Sequence, residues 1–429
     1  MKLENLLLMS LRSPYLDDSK VYPPLGLLYL KSAVNKSLPD VNVDIVDNYE
    51  LRPETFEKYD VIGLSVMTPQ REESLKVLKT IKDNFPSKPV IIGGPHALHY
   101  YDEVVKQDFD FVVPQDGQEA LISILRGNKQ RVIRHNMDKD EFAKQPRPDR
   151  TSQKAKEFLS SYHYSLQGKK AGTMLTATGC PMSCGFCEEA GTKVRWRDLE
   201  SLSMEMDDLK ELGYEGVYLF DDLFAIAMPK VKPIAEELYK HNLIYRCNGQ
   251  ANYFTKWGED FAKLLSETGC VEIAFGHESG SQKILDNVFK RTTIEQNYLS
   301  IQHAKKYGIK VKSFIMLGLP GETIETMNET EKFIKDGGMD DFQLAIYYPY
   351  KGTRIRQQMD LNEPVDLQFL GEGLGAYGQS GGKTESVVRT KDLSSQNLLD
   401  FRDYLVRTYK PKSHSHFFDT NQKTKVEYG

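Results

Sequence analysis

The chain has 429 residues, room for about two or three domains at roughly 150 residues each. Its 56 basic and 61 acidic side chains leave a formal charge of −5, so there is no bulk pull toward nucleic acid or anionic lipid. With 40% hydrophobic and 27% charged residues it reads as an ordinary folded protein, which excludes long disorder, a collagen-like repeat and an all-coiled-coil rod. No apolar run reaches the roughly 18 residues of a membrane helix. The start, Met1–Met9, carries an early acid and too short an apolar stretch for a signal peptide. Five cysteines, three of them within eight positions, do not make a disulfide scaffold. They predict a reducing, cytoplasmic setting and a clustered metal or redox site.

Strand and helix signals alternate over the first 130 or so residues. Leu6–Met9, Val41–Val46, Val61–Val66, Val90–Ile92 and Phe109–Val113 read as strands. A helix opens at Pro23-Pro24-Leu25, where proline suits the first turn. Another carries Leu75, Leu78, Ile81 and Phe85, and a third runs from about Gly117 to Leu125. This alternation predicts a parallel, doubly wound Rossmann-like sheet, with its ligand outside the carboxyl ends of the strands. Those ends are small, polar and glycine-rich, as a large planar ligand approached by backbone requires.

Asn128–Arg150 is charged and ends in Gln145-Pro146-Arg147-Pro148, a linker signature. A second β/α series follows, with strands expected at Thr173–Ala177, Gly216–Phe220, Ile244–Asn248, Val271–Gly276, Val311–Leu317 and Phe342–Tyr347. Six units are fewer than the eight that close a full barrel, so an open partial (β/α)6 barrel is predicted. The expected α/β organisation is a Rossmann-like domain over 1–130, a linker over 131–165, the partial barrel over 166–350 and a small C-terminal region over 351–429. Leu370–Gly382 holds six glycines and reads as a lid or a surface loop. The polar tail with His414, His416, Phe417 and Phe418 reads as a frayed terminus.

The decisive stretch is Gly179-Cys180-Pro181-Met182-Ser183-Cys184-Gly185-Phe186-Cys187, three thiols in a C-x3-C-x2-C pattern behind a predicted strand. Thiolates suit iron–sulfur clusters or zinc. Structural zinc wants four protein ligands, and Cys247 and Cys270 are distant in sequence and read as buried small hydrophobes. A cubane held by three thiolates leaves one iron open to a substrate or cofactor, unlike the four-cysteine ferredoxin run.

This spacing resembles the radical S-adenosylmethionine (SAM) superfamily. The resemblance implies a 4Fe-4S cluster on Cys180, Cys184 and Cys187, whose open iron chelates SAM, with Phe186 beside the adenine. Tyr218-Leu219-Phe220-Asp221-Asp222 makes Asp221 or Asp222 a candidate for the SAM ammonium or, alternatively, a helix cap. Gly276-His277-Glu278-Ser279-Gly280-Ser281 is similar to the family's G-x-E-S-G-S and points to Glu278 and Ser279. Arg291 matches a recurrent basic position, and Met316–Thr323 resembles the segment beside the adenine, with Gly318 and Pro320 as contacts.

The N-terminal half, through Pro23–Leu30, Gly93-Gly94-Pro95-His96-Ala97 and Phe111–Ala120, resembles the cobalamin-binding domain fused ahead of many radical SAM enzymes. That implies cobalamin contacts at Ser10, Tyr15, Ser65, Met67, Thr68, Gly93, Gly94, Pro95, His96, Gln115, Asp116 and Gly117. The chain has no D-x-H-x-x-G, the run that supplies a histidine to cobalt in the methionine-synthase type of domain.

Together the resemblances imply a cobalamin-dependent radical SAM enzyme, most directly a C-methyltransferase acting on an unactivated carbon. A radical SAM cyclase or carbon–carbon coupling enzyme is the alternative within the family. A non-catalytic iron–sulfur electron carrier or redox sensor is the alternative outside it. The expected partners are a small-molecule, lipid or natural-product substrate and a low-potential electron donor such as flavodoxin or ferredoxin. A nucleic-acid substrate is not expected.

Overall fold

The computed structural model describes residues 3–12, 20–47, 49–371 and 386–411. Tyr15, most of the glycine-rich stretch 370–382 and the tail histidines lie outside the described residues. The chain divides into two compact units, one built mainly from residues 22–163, the other mainly from 164–199 and 209–411.

The first unit is a five-stranded parallel sheet of β1 (Asn5–Ser10), β2 (Asn42–Val46), β3 (Val61–Ser65), β4 (Val90–Gly93) and β5 (Phe111–Val113), in the order β2-β1-β3-β4-β5. Apart from the alternating edge strand β2, its strands are mainly apolar runs, because both faces are covered. Leu7, Met9, Ile62, Leu64 and Ile92 pack on one side with Val77 and Ile81 of α1 (Arg71–Asn84). Leu6, Leu8, Val61 and Ile91 pack on the other side with Leu27 and Val34 of the helix Leu25–Ser37 and with Leu121 of α2 (Gly117–Leu125). The winding reverses between β1 and β3, the switch point at which such sheets bind ligands.

Register brings Ser10, Ser65 and Gly93 side by side at the carboxyl ends. Gly94 follows at φ +92°, and a Cβ there would lie 2.9 Å from the Val66 backbone nitrogen and oxygen. Those same atoms bond Gly93 and His96, the amide of Val66 donating to Gly93 and the amide of His96 donating to Val66. Only glycine fits, and it brings bare backbone to the rim.

The second unit is a seven-stranded sheet. Six strands run parallel: β7 (Lys169–Met174), β10 (Gly216–Leu219), β11 (Ile244–Gly249), β12 (Cys270–Glu278), β13 (Lys310–Leu317) and β14 (Asp341–Ile346). They form the expected partial barrel, and the short β6 (Ser165–Leu166) adds antiparallel to β7. The first barrel strand starts and ends earlier than the expected Thr173–Ala177. Residues Ala177–Thr178 leave it as β8 and pair antiparallel with β9 (Arg195–Trp196).

The inner wall of the curl holds charge. Arg246 of β11 pairs with Glu272 of β12 at 3.0 Å and lays its guanidinium 4.0 Å over the Tyr218 ring. Lys312 of β13 stands 3.8 Å from Asp341 of β14. Each of these four charged side chains is at most 5% exposed. Further along the same strands the half-buried Asn248, Phe314, Met316 and Gln343 follow at two-residue spacing. The odd-numbered positions of β11 face the other way, where Cys247 and Cys270 lie buried with sulfurs 4.0 Å apart.

Removing one member of a buried pair leaves the other charge uncompensated. Arg246→Met is therefore expected to lower unfolding stability by about 3–5 kcal/mol, read from the urea midpoint of the apoprotein. Arg246→Met combined with Glu272→Leu should recover much of that loss.

Candidate functional site

The three cysteines lie on the loop between β8 and β9, at the carboxyl end of the barrel. Met182, Cys184, Leu223 and Ile226 form a buried apolar group, and Cys180, Phe186, Cys187, Val194 and Trp196 pack against it. Burial raises all three thiols above their ordinary range, Cys187 to about 12. Among the described residues no three Cys, His, Asp or Glu side chains gather as a single ion needs. A cubane asks for something different, one thiolate on each of three irons. The donor set is soft and sits in an apolar pocket, so the residues present fit such a cluster.

Both aspartates after β10 act on this loop. Asp221 is 1% exposed and accepts the Thr176 amide at 2.6 Å and the Thr176 hydroxyl. Asp222 accepts the Gly179 amide at 2.7 Å and the Thr178 hydroxyl at 3.3 Å. Gly179 has φ +91°, and a Cβ on it would meet the Lys193 carbonyl oxygen at 2.3 Å. The Cys180 amide donates to Thr192 Oγ1 at 2.8 Å. These bonds explain why β7 stops short of Ala177: the chain is pulled off the sheet and pinned as the base of the cysteine loop.

Glu278 ends β12 at a bulge, with φ +63°. Its carboxylate meets Lys290 Nζ at 2.8 Å, and both side chains are buried, at 9% and 5% exposure. Lys290 also sits 5.7 Å over the Phe186 ring. Burial works against the ammonium, yet Glu278 and the nearby thiols of Cys184 and Cys187 more than offset it and hold the lysine above its usual range. In return Lys290 draws the cysteine thiols downward against the larger effect of burial. A Cβ on Gly276 would lie 2.4 Å from Glu278 Oε1 and 2.9 Å from Lys290 Nζ, so glycine makes room for the pair.

Ser279 is fully buried, 3.1 Å from Thr330 Oγ1 and accepting the Ser281 amide at 3.0 Å. Arg291 is exposed, and the inward position belongs to its neighbour Lys290. After β13, Gly318 takes φ +79°. The fully buried Glu322 accepts the Gly318 amide at 2.7 Å and the Leu319 amide at 3.3 Å, fixing the turn. The Pro320 carbonyl accepts from Asn287 at 2.9 Å.

In the first unit Met67 is 51% exposed, and Gln115 and Pro95 are also exposed. Thr68 and His96 are buried, and the His96 ring stacks on Tyr100 at 5.0 Å. Asp116 accepts the Met137 amide at 2.8 Å, and Gly117 lies against Leu30. The rim thus groups Ser10, Ser65, Gly93 and Gly94, while His96 turns into the core.

Sequence reasoning passed over Lys290, Thr176, Thr192 and Glu322. Lys290 adjoins Arg291, but only the left-handed backbone at Phe289 (φ +56°) and Arg291 (φ +55°) decides which cation turns inward. The signal for Glu322 lies in the run Gly318–Glu322 itself: an acid four residues after a glycine turn.

Asp221 and Glu322 are each pushed up to about 7 by burial, against hydrogen bonds that pull the other way. Their folded values lie above the ordinary 3.8 and 4.5. Their contribution to stability is therefore complete below about pH 4 and is lost as pH rises through 7. The urea midpoint of the apoprotein should fall between about pH 5 and about pH 8. Asp221→Asn should make that fall shallower.

Comparison with known proteins adds to this geometry. The Radical SAM superfamily matches residues 174–334, and the B12 binding domain family matches residues 19–125. An uncharacterized methyltransferase of Pyrococcus horikoshii is 27% identical over 78% of this chain and 77% of its own. The anaerobic magnesium-protoporphyrin IX monomethyl ester cyclase of Rubrivivax gelatinosus is 26% identical over 72% of this chain, which spans 60% of that protein. Among solved structures, the radical SAM methyltransferase TsrM from Kitasatospora setae, with cobalamin and a 4Fe-4S cluster bound, aligns with a TM-score of 0.70 at 18% identity. That alignment covers 88% of this chain and 82% of TsrM. The two matched regions fall on the two units, and the cysteine loop lies inside the first of the two matches. The chain therefore contains a radical SAM domain, which holds the cysteine loop, and a B12-binding domain ahead of it in the sequence.

Proposed function

We propose that this chain is a cobalamin-dependent C-methyltransferase acting on an unactivated carbon of a small organic molecule. The observation that carries the reading is three thiols in one apolar pocket beside the buried Lys290–Glu278 pair, in a chain with a B12-binding domain. When bound, the cluster and SAM supply a 5′-deoxyadenosyl radical, and cobalamin supplies a transferable methyl group. Cys180, Cys184 and Cys187 hold the cluster, and Phe186 flanks the nucleoside. Lys290, balanced by Glu278, presents the one buried ammonium of that group to an anionic ligand such as a carboxylate. Gly318–Pro320 offers backbone to the adenine edge, with Glu322 keeping the turn rigid. Asp221 and Asp222 position the cysteine loop. Met182, Leu223 and Ile226 exclude water. Ser10, Ser65, Gly93 and Gly94 form the rim against which cobalamin lies. Tyr218, Asn248, Phe314 and Gln343, on the inner wall of the curl, suit a substrate with an unsaturated or aromatic body and hydrogen-bonding edges.

The test is anaerobic reconstitution with iron, sulfide, methylcobalamin and SAM under reductant. The wild type should release 5′-deoxyadenosine and transfer label from methyl-labelled SAM to a candidate substrate. Cys184→Ala should lose both activities, by at least about a hundredfold (about 2.7 kcal/mol in barrier). A wild type with a full cluster and no 5′-deoxyadenosine would sink the reading. The relationship to the Rubrivivax cyclase favours one second reading, radical cyclisation. Deoxyadenosine formed without methyl transfer would select it.

A further inference from the structure

We infer that the outer rim of the cysteine loop, formed by Phe289, Arg291 and Arg354, is the docking surface for an acidic one-electron carrier protein. This rests on the radical reading above and names the partner that reading requires. Gly185, between Cys184 and Phe186, is the loop's point of contact with the rim. A Cβ there would stand 3.1 Å from Phe289 Cδ2 and 3.0 Å from Ile355 Cγ1. The Gly185 amide donates to the Val288 carbonyl at 2.8 Å, and the Gly185 carbonyl accepts the Ile355 amide at 2.9 Å. The cysteine loop is thus bonded directly to both rim segments. Outside that contact, the Arg354 guanidinium lies 3.6 Å over the Phe289 ring, and both arginines are exposed. Arg354, Phe289, Gly185 and Cys184 form one contiguous stack from solvent to a cluster ligand. Elsewhere the thiols are walled by Met182, Leu223, Ile226, Val194 and Trp196.

Two features argue for a partner. Phe289 and Arg291 both hold left-handed backbone, at φ +56° and +55°, a conformation that strains bulky residues. Glycine would relieve that strain, yet the chain keeps a half-buried aromatic ring and an exposed cation there. The turn is tied down by Gln250 to the Lys290 carbonyl at 3.3 Å and by Asn252 to the Arg291 carbonyl at 3.2 Å. The acid on the preceding turn, Asp286, bonds Gln282 at 2.9 Å. The second feature is charge. The chain is acidic overall, at −5, so two exposed guanidiniums on this rim give an acidic carrier a local cationic landing point. The transfer is one electron and makes no bond: the carrier's flavin hydroquinone or reduced iron–sulfur centre is oxidised by one electron, and the cluster in this chain is reduced by one.

The experiment uses the reconstituted holoenzyme, a recombinant flavodoxin as the probe and the variants Arg354→Gln and Arg354→Glu. Titration should show wild-type binding that weakens with salt. Binding should fall several-fold in Arg354→Gln and at least about tenfold in Arg354→Glu, with flavodoxin-driven formation of 5′-deoxyadenosine falling in step. SAM affinity and dithionite-driven turnover should stay within about twofold of wild type. Unchanged flavodoxin binding in both variants overturns the assignment. So does an equal loss with dithionite, which would place Arg354 in the site and not at a docking surface. If the wild type makes no deoxyadenosine even with dithionite, the radical reading falls and takes this surface with it. If Arg354→Glu does not fold, Arg354→Gln and the salt slope of the wild type decide the question.

Discussion

Holding one positive charge in an apolar pocket next to three sulfurs is the constraint on which the second unit depends. An ammonium with 5% exposure is stable only if opposite charge surrounds it. Glu278 supplies part of that charge, and the neighbouring thiols supply the rest when ionised. Much of the local backbone follows from that requirement. β12 bulges so that Glu278 turns inward, Gly276 gives up a side chain to make room, and the Phe289–Arg291 turn adopts left-handed backbone to aim Lys290 at the sulfurs. The same arrangement suits a metal cluster, because a thiolate-ligated group is anionic and is steadied by a nearby fixed cation.

A second set of interactions fixes where the sulfurs stand. Asp221 and Asp222 follow a neighbouring strand, and three of their carboxylate oxygens accept from the backbone and hydroxyls of Thr176, Thr178 and Gly179. Carboxylates bonded to backbone amides make rigid posts, and here they convert the last turn of β7 into the base of a loop. Asp221 keeps this place although burial lifts its carboxyl to about 7. Glu322 does the corresponding work after β13, on the turn of Gly318 and Leu319.

Much of this was legible from residue order alone. The β/α alternation, the six parallel barrel strands and the spacing of the cysteines all follow from local periodicity and from short-range chemistry. The glycine-rich strand ends of the first unit were legible for the same reason, since small residues after a strand mark backbone meant to be approached. His96 was not. Its motif places it at the rim, but its ring stacks on Tyr100 inside the core, and no sequence pattern distinguishes those two rotations. Asp221, Ser279 and Arg291 illustrate the same limit. Each lies in a run that resembles a binding motif, yet the carboxylate and the hydroxyl are directed by partners 45 and 51 residues away, Thr176 and Thr330, and Arg291 stays outside because its neighbour Lys290 pairs inward with Glu278, 12 residues from that lysine.

Residue order by itself determined the class of fold, the presence of a soft three-donor site and its position after the first barrel strand, because these depend on neighbours within a few residues. The tertiary structure alone decided which of two adjacent cations is buried, which carboxylates are committed to the loop and which ring covers the path to solvent. Those choices depend on strands brought together across the sheet and on backbone angles that only packing can impose.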